Sequence, residues 1–144
     1  MTSDPYNLRR FLLAQEPVFT QACAELAAGH KASHWMWFIF PQLRGLGSSA
    51  MAERYAIGSL DEARAYLAHP LLGERLRGCT QIANRIERRT AQEIFGYPDY
   101  LKFRSSMTLF ARAAAGDSEP FREALAKYFA GEEDPPTREL LSAE

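Results

Sequence analysis

The stretch PDYLKFRSSMTLFARAAAG, residues 98–116, decides the fold of this chain. Its larger apolar side chains recur at Phe103, Met107 and Phe110, and this spacing of three or four residues is typical of one face of an α-helix. A proline at the start and a glycine at the end are common at helix boundaries. The stretch therefore predicts a helix over 98–115 whose apolar stripe faces a core.

Helical patterns continue on both sides of this stretch. Segment 119–130 has its own stripe at Phe121 and Leu125, and we expect the two stripes to pack together. Ser59 and Thr90 are each followed three residues later by a glutamate, the capping-box pattern that opens a helix. Further helices are predicted over residues 6–15, 18–28, 50–57, 60–68, 70–86, 91–95 and 135–141.

Strand patterns are weak throughout the chain. Valine occurs once and isoleucine five times, and no segment alternates apolar and polar residues over a sustained run. A chain of 144 residues is also too short to bury two separate cores. The sequence predicts an all-α fold, a single compact domain over residues 1–144 with about seven or eight helices around one core.

Composition and charge exclude several classes of protein. Apolar residues make up 47% of the chain, charged residues 24%, and the net charge is −1, so the chain is neither disordered nor basic enough to bind nucleic acid or a membrane by bulk charge. The longest stretch without a charged residue, 32–43, is shorter than the roughly 20 residues that span a bilayer. The first residues lack the apolar run of a signal peptide. We expect a soluble, cytoplasmic protein.

Cysteine and histidine spacing give no sign of a metal or disulfide framework. Cys23 and Cys79 lie far apart in the sequence, which is typical of a reduced intracellular protein. His30 and His34 are four residues apart, but Lys31 occupies the position where zinc proteases carry a glutamate. We therefore predict neither a metal site nor a cofactor.

The aromatic segment Ser33–Gln42 holds both tryptophans of the chain. It predicts a short buried helix capped by its first serine, with a buried strand as the alternative. Such a run is most simply part of the core, because large aromatic side chains bury the most area. Alternatively, Trp35 or Trp37 forms one wall of a pocket for a flat ring, with His34 and Gln42 as polar groups at its ends.

Two polar segments are candidates for binding an anion. The loop over 44–49 precedes a helix, so it is either a tight turn with an N-cap or a cradle of backbone N–H groups for phosphate. The hydroxyls and cations within 102–108 are either small residues that allow close helix packing or a polar face for a ligand. The candidate ligand-binding residues of the two segments are Arg44, Gly45, Gly47, Ser48, Ser49, Lys102, Arg104 and Ser105.

Catalytic residues are less clearly marked. No serine lies in the Gly-x-Ser-x-Gly pattern of hydrolases. If the protein is an enzyme, His34 and Glu53 are the candidate proton-transfer groups.

Charge is unevenly distributed along the chain. Residues 75–112 carry eight basic and three acidic side chains, whereas residues 116–144 carry three basic and eight acidic ones. The basic helix face Arg77–Arg88 is either a solvated surface or a docking surface for an acidic partner. The alternative to ligand binding is therefore a non-catalytic interaction or regulatory module that uses this face.

The aromatic segment and its surroundings resemble a known bacterial family. The stretch GHKASHWMWFIFPQ, residues 29–42, resembles the hallmark of the family called domain of unknown function 1810. Members are sometimes labelled calpastatin, although calpastatin-type inhibitors are disordered and this composition is globular. The resemblance implies a mainly helical fold. It extends through residues 45–49, 55–57, 62–63, 66–67, 69–76, 94–96, 99, 102 and 104–110.

A more distant likeness is to the YbiA-like NADAR proteins, which are associated with ADP-ribose and act as N-glycosidases. The likeness is one of layout, a helical domain with a late Lys102-Phe103 pair. It implies a nucleotide-derived, ADP-ribose-like ligand. We expect a small protein that binds or hydrolyses such a phosphate-bearing ligand in an aromatic-walled cleft.

Overall fold

The computed structural model describes residues 3–144. In this range the chain forms ten helices and no β-sheet, which confirms the all-α fold. The number of helices is ten and not the seven or eight expected, and three of the ten contain only four or five residues. No helix in this range is long and apolar enough to cross a bilayer. The helices are α1 (Arg9–Gln15), α2 (Phe19–Ala27), α3 (Met36–Ile39), α4 (Ala50–Arg54), α5 (Leu60–Ala68), α6 (Pro70–Asn84), α7 (Ala91–Phe95), α8 (Asp99–Ala113), α9 (Glu119–Phe129) and α10 (Pro135–Ser142).

Helix α8 lies at the centre of the fold. It packs against α3, α5, α7, α9 and α10, and nine of its fifteen residues are buried. Phe103, Met107 and Phe110 have no exposed surface, and the ring centroids of Phe110 and Phe121 are 6.0 Å apart. The predicted stripe therefore faces the core and packs against α9, as expected.

The aromatic segment forms a helix and not a strand. Its single turn, α3, is followed by Phe40, and Met36, Ile39 and Phe40 are all buried. The rings of Phe40 and Phe103 meet edge to face with centroids 5.0 Å apart. This contact packs the aromatic segment against α8.

The expectation that Ser33 caps this helix is wrong. The N-cap position of α3 is Trp35, and no side chain caps the turn. The Ser33 hydroxyl instead donates a 2.6 Å hydrogen bond to the carboxylate of Glu25 on α2. A charged acceptor on a neighbouring helix forms the stronger bond, so the tertiary contact overrides the local cap.

Side-chain caps define the starts of other helices. The hydroxyls of Ser59 and Thr90 accept hydrogen bonds of 3.1 Å from the backbone N–H groups of Glu62 and Glu93. Glu93 also accepts from the N–H of Thr90, which completes the capping box. Both predicted caps are confirmed. Ser118 lies at the N-cap position of α9, but its hydroxyl makes no capping bond.

Replacing Ser59 or Thr90 with alanine is expected to lower the free energy of unfolding by about 0.5–2 kcal/mol, because each substitution leaves a first-turn N–H without its acceptor. Urea denaturation measures the loss. Ser118→Ala is the matched control, and it should change the stability by less than about 0.5 kcal/mol. Equal losses in all three variants would contradict the assignment of the caps.

Candidate functional site

A narrow crevice lies between the end of the aromatic segment and α4. Its cavity volume is about 20 Å³, room for about one water molecule and far below the roughly 300–1,000 Å³ of typical small-molecule sites. It brings together side chains from three separate stretches of sequence. The residues that line it are Trp37, Gln42, Leu43, Arg44, Gly45, Gly47, Ala52, Glu53, Tyr55 and Ala56.

An isolated parallel bridge between Leu43 and Ile57 positions two of these side chains. The N–H of Arg44 donates to the carbonyl oxygen of Ile57 at 2.8 Å, and the N–H of Ile57 donates to that of Gln42 at 2.9 Å. Side chains alternate along extended backbone, so Leu43 enters the core while Gln42 and Arg44 line the crevice. The bridge also explains why α4 ends three residues earlier than predicted, since the following residues turn into the core.

The loop over 44–49 forms one wall of the crevice. Gly45 has a φ of +103°, which L side chains rarely adopt. A Cβ on Gly47 would lie 2.8 Å from the Cβ of Ala52, so the loop can approach α4 this closely only with glycine there. The Ser49 hydroxyl accepts the N–H of Ala52 at 3.1 Å and caps α4, whereas Ser48 is exposed.

Trp37 forms the aromatic wall of the crevice. Its indole Nε1 is buried and has no hydrogen-bond partner within residues 3–144. The Nζ of Lys102 lies 5.1 Å from the ring centroid, within the range of a cation–π contact. A buried donor without a partner is uncommon in folded proteins, because it loses its hydrogen bond to water and gains none in return.

Charged groups of both signs lie at the crevice. Arg44 is exposed, and its guanidinium makes no hydrogen bond or ion pair within the described part of the chain. Glu53, on α4, is also exposed. A guanidinium suits the paired oxygens of phosphate or carboxylate, and a carboxylate accepts hydrogen bonds from hydroxyl or amine groups. The site can therefore hold an anion next to a group that carries donors.

Trp35 lies in the core and not in the crevice. Its ring has no exposed surface, and its Nε1 donates a 2.9 Å hydrogen bond to Glu25. Desolvation raises the pKa of Glu25, but hydrogen bonds from Ser33, Ala32 and Trp35 outweigh it and bring the pKa down to about 2. Trp35 thus acts as a donor within the fold and offers no face to a ligand. His34 is exposed and does not line the crevice.

A partly buried ion pair lies close to both tryptophans, and sequence analysis missed it. The Nζ of Lys31 is 2.8 Å from a carboxylate oxygen of Asp99, and Lys102 lies 3.7 Å from the other oxygen. Lys31 is also 5.0 Å from the ring centroid of Trp35. No local pattern signals a contact between residues so far apart in the sequence. Among the described residues, no three His, Cys, Asp or Glu side chains cluster as metal ligands would.

The other polar groups of α8 hold the segment that precedes α10. The Ser105 hydroxyl donates to the carboxylate of Asp134 at 3.1 Å, and the Thr108 hydroxyl accepts the N–H of Asp134 at 2.9 Å. The guanidinium of Arg104 donates to the backbone carbonyl oxygens of Glu132 and Glu133, both at 3.0 Å. Arg104 and Ser105 therefore anchor the chain and lie outside the crevice lining.

The basic face Arg77–Arg88 is partly used inside the fold. The Nε of Arg77 lies 3.0 Å from a carboxylate oxygen of Asp117, in the loop between α8 and α9. Arg85 and Arg88 are exposed. The ion pair leaves fewer cations on this face for an outside partner than the sequence implies.

Comparisons with known proteins agree with this fold. No curated protein matches the chain. The crystal structure of the conserved hypothetical protein Rv1873 from Mycobacterium tuberculosis is similar, with 56% sequence identity and a TM-score of 0.95 over 96% of this chain and 99% of that one. The family model described as "Protein of unknown function (DUF1810)" matches residues 5–141, nearly the whole of the chain. The likeness seen in the aromatic segment thus extends to the entire fold, and the chain belongs to the DUF1810 family.

Proposed function

We propose that the crevice binds a small phosphate-bearing ligand, with a flat ring against Trp37 and a phosphate at Arg44. One observation carries the proposal: the indole ring of Trp37, the exposed guanidinium of Arg44 and a loop that contains two glycines all line the same crevice. Nucleotide-derived molecules contain both a flat ring and a phosphate. The likeness in layout to the NADAR proteins favours an ADP-ribose-like member of that class.

The size of the crevice limits how much of the ligand it encloses. A cavity volume of about 20 Å³ holds about one water molecule, whereas typical small-molecule sites measure roughly 300–1,000 Å³. The crevice therefore encloses neither a ring nor a phosphate. We expect the ligand to lie across the mouth of the crevice and to contact the lining residues from outside.

Each lining group has a distinct role in this proposal. Arg44 forms a paired, charge-assisted contact with the phosphate. Lys102 is not a lining residue, but its Nζ lies 5.1 Å from the Trp37 ring centroid, and we expect it to add a second positive charge near the ring. Gln42 and Glu53 accept hydrogen bonds from the hydroxyl or amine groups of the ligand.

Binding is better supported than hydrolysis. Enzymes that cleave glycosidic bonds commonly use two carboxyl groups. Glu53 is the one carboxylate among the described residues that line the crevice, and His34 lies outside the lining. Hydrolysis would therefore depend on Glu53 alone as the proton-transfer group.

Substituting Arg44 with alanine is expected to weaken ligand binding by more than about 1 kcal/mol, or about fivefold, because charge-assisted hydrogen bonds contribute about 1.5–3 kcal/mol. Isothermal titration calorimetry with ADP-ribose, AMP and inorganic phosphate measures the affinity. Arg9→Ala removes the same charge from an exposed position on α1, away from the crevice, and should bind as the wild type does.

Tryptophan fluorescence gives a second measurement. A ring that stacks on Trp37 should quench its emission, whereas the buried Trp35 should not respond. Quenching by AMP should therefore disappear in Trp37→Phe. The proposal fails if the wild type binds none of the three ligands, or if Arg44→Ala and Arg9→Ala bind them equally well.

A further inference from the structure

A second cavity, separate from the crevice, lies between the N-terminal segment and the C-terminal end of α5. Its volume is about 560 Å³, within the roughly 300–1,000 Å³ of typical small-molecule sites. It shares no lining residue with the crevice. The apolar and aromatic part of its lining comes from Pro5, Tyr6, Leu8, Leu12 and Ala65.

Hydrogen bonds hold the N-terminal wall of this cavity in place. The carboxylate of Asp4 accepts the backbone N–H groups of Leu8 at 2.8 Å and of Arg9 at 3.1 Å. The guanidinium of Arg10 donates to the carbonyl oxygen of Tyr6 at 2.6 Å. These contacts order the wall independently of a ligand, which lowers the entropic cost of binding one.

The polar side chain that matters most at this cavity is the half-buried imidazole of His69. His69 is the N-cap of α6, and its Nδ1 accepts the backbone N–H groups of Leu71 and Leu72, both at 3.2 Å. A ring nitrogen that accepts hydrogen bonds cannot carry the proton, so the neutral imidazole carries it on Nε2. Within residues 3–144, the side chain makes no hydrogen bond besides these two. The Nε2–H is therefore a donor of fixed orientation that a ligand can use.

The charged residues at the cavity balance each other. Asp4 and Arg9 are the two charged side chains of the lining, and both are exposed. A charged ligand would be attracted by one of them and repelled by the other. The cavity therefore favours a ligand without net charge.

We propose that this cavity binds a small uncharged molecule that has an apolar body and a hydrogen-bond acceptor such as a carbonyl oxygen. The apolar body packs against Leu8, Leu12 and Ala65, and the acceptor receives the Nε2–H of His69. Burial of apolar area supplies most of the affinity, and the single donor orients the ligand. The proposal does not depend on the phosphate-bearing ligand of the crevice, because the two sites share no residue.

Benzamide is the probe for this site, because it is uncharged and combines one ring with one carbonyl group. A molecule of this size is expected to bind with a Kd in the millimolar range. In a titration of the ¹⁵N-labelled full chain followed by NMR, the backbone signals of Leu12 and Ala65 should shift with benzamide. The signals of Gly45 and Gly47, in the loop of the crevice, should not. Above about pH 8, where a histidine is neutral, the ring ¹⁵N signals of His69 should show the proton on Nε2.

Two substitutions test the apolar lining and the donor separately. Ala65→Leu fills part of the cavity and should weaken benzamide binding by more than about fivefold, whereas Ala126→Leu, at an exposed position on α9, should leave the affinity unchanged. His69→Asn takes away the Nε2–H but keeps an N-cap acceptor for α6. It should weaken binding by about two- to tenfold, the contribution of one hydrogen bond.

The proposal is overturned if benzamide leaves the signals of Leu12 and Ala65 unchanged, or if Ala65→Leu and Ala126→Leu bind it equally well. It is also overturned if His69→Asn binds benzamide as the wild type does, or if the neutral imidazole carries its proton on Nδ1. The wild-type titration decides the matter even where a variant fails to fold.

Discussion

Met107→Ala is expected to lower the free energy of unfolding by about 2–5 kcal/mol. Met107 has no exposed surface and lies on the face of α8 that packs against α9. The substitution removes buried apolar area and leaves a cavity that the surrounding rings of the core fill only partly. Urea denaturation, monitored by circular dichroism, measures the loss as a lower midpoint with an unchanged slope.

Leu13→Ala is the matched control for this experiment. It also shortens an apolar side chain on a helix, but Leu13 is 63% exposed, so the change should be below about 0.5 kcal/mol. A Met107→Ala protein as stable as Leu13→Ala would show that α8 does not form the centre of the core.

Glu25→Gln is expected to lower the free energy of unfolding at pH 7 by about 1.5–3 kcal/mol, the contribution of hydrogen bonds to a charged group. The carboxylate accepts from the N–H groups of Ala32 and Ser33, from the Ser33 hydroxyl and from the indole of Trp35. The single oxygen of the neutral amide accepts hydrogen bonds more weakly than a carboxylate oxygen does. The amide NH₂ group replaces the other oxygen, and because it is itself a donor it cannot accept from the N–H or O–H groups at that position. Glu87→Gln, at an exposed position without contacts to other described side chains, is the control.

The pH dependence of this effect is determined by the pKa of Glu25. The folded-state pKa of Glu25, about 2, lies below the ordinary value of 4.5 for a glutamate side chain. The ionised carboxylate therefore contributes its full stabilisation above about pH 4.5, and that contribution is lost as the pH falls through about 2. The difference between wild type and Glu25→Gln should be constant from pH 5 to 7 and shrink towards pH 2. A difference that does not change with pH would contradict the assignment.

Long apolar stripes allowed much of the fold to be predicted. The apolar spacing in 98–115 predicts the central helix, and α8 ends two residues before the predicted C-terminus. The local capping patterns predict where α5 and α7 begin. The segments that form α3 and α4 were also predicted to be helical, but helices of four and five residues are too short for a period to define their ends. The expected total of seven or eight was lower than the ten helices observed.

The candidate site could be predicted only in part. Sequence analysis selected Arg44, Gly45 and Gly47 from a local loop pattern, and the structure places them in one crevice. It left Trp35 and Trp37 as alternatives, because residues two apart on a helix face different sides and no local signal says which side is the core. Only the fold reveals that Glu25 binds the first indole and that the crevice contains the second.

The central position of α8 also affects how the protein is made. A ribosome releases the chain from its N-terminus, so α1 to α7 are complete before Asp99, the first residue of α8, is added. At about 5–20 residues per second, the preceding 98 residues take about 5–20 s to synthesise. Once synthesised, α3, α5 and α7 each lack the surface of α8 that later covers their apolar sides. These apolar sides therefore stay uncovered on the nascent chain until translation enters its last third, and transiently exposed apolar surface favours aggregation.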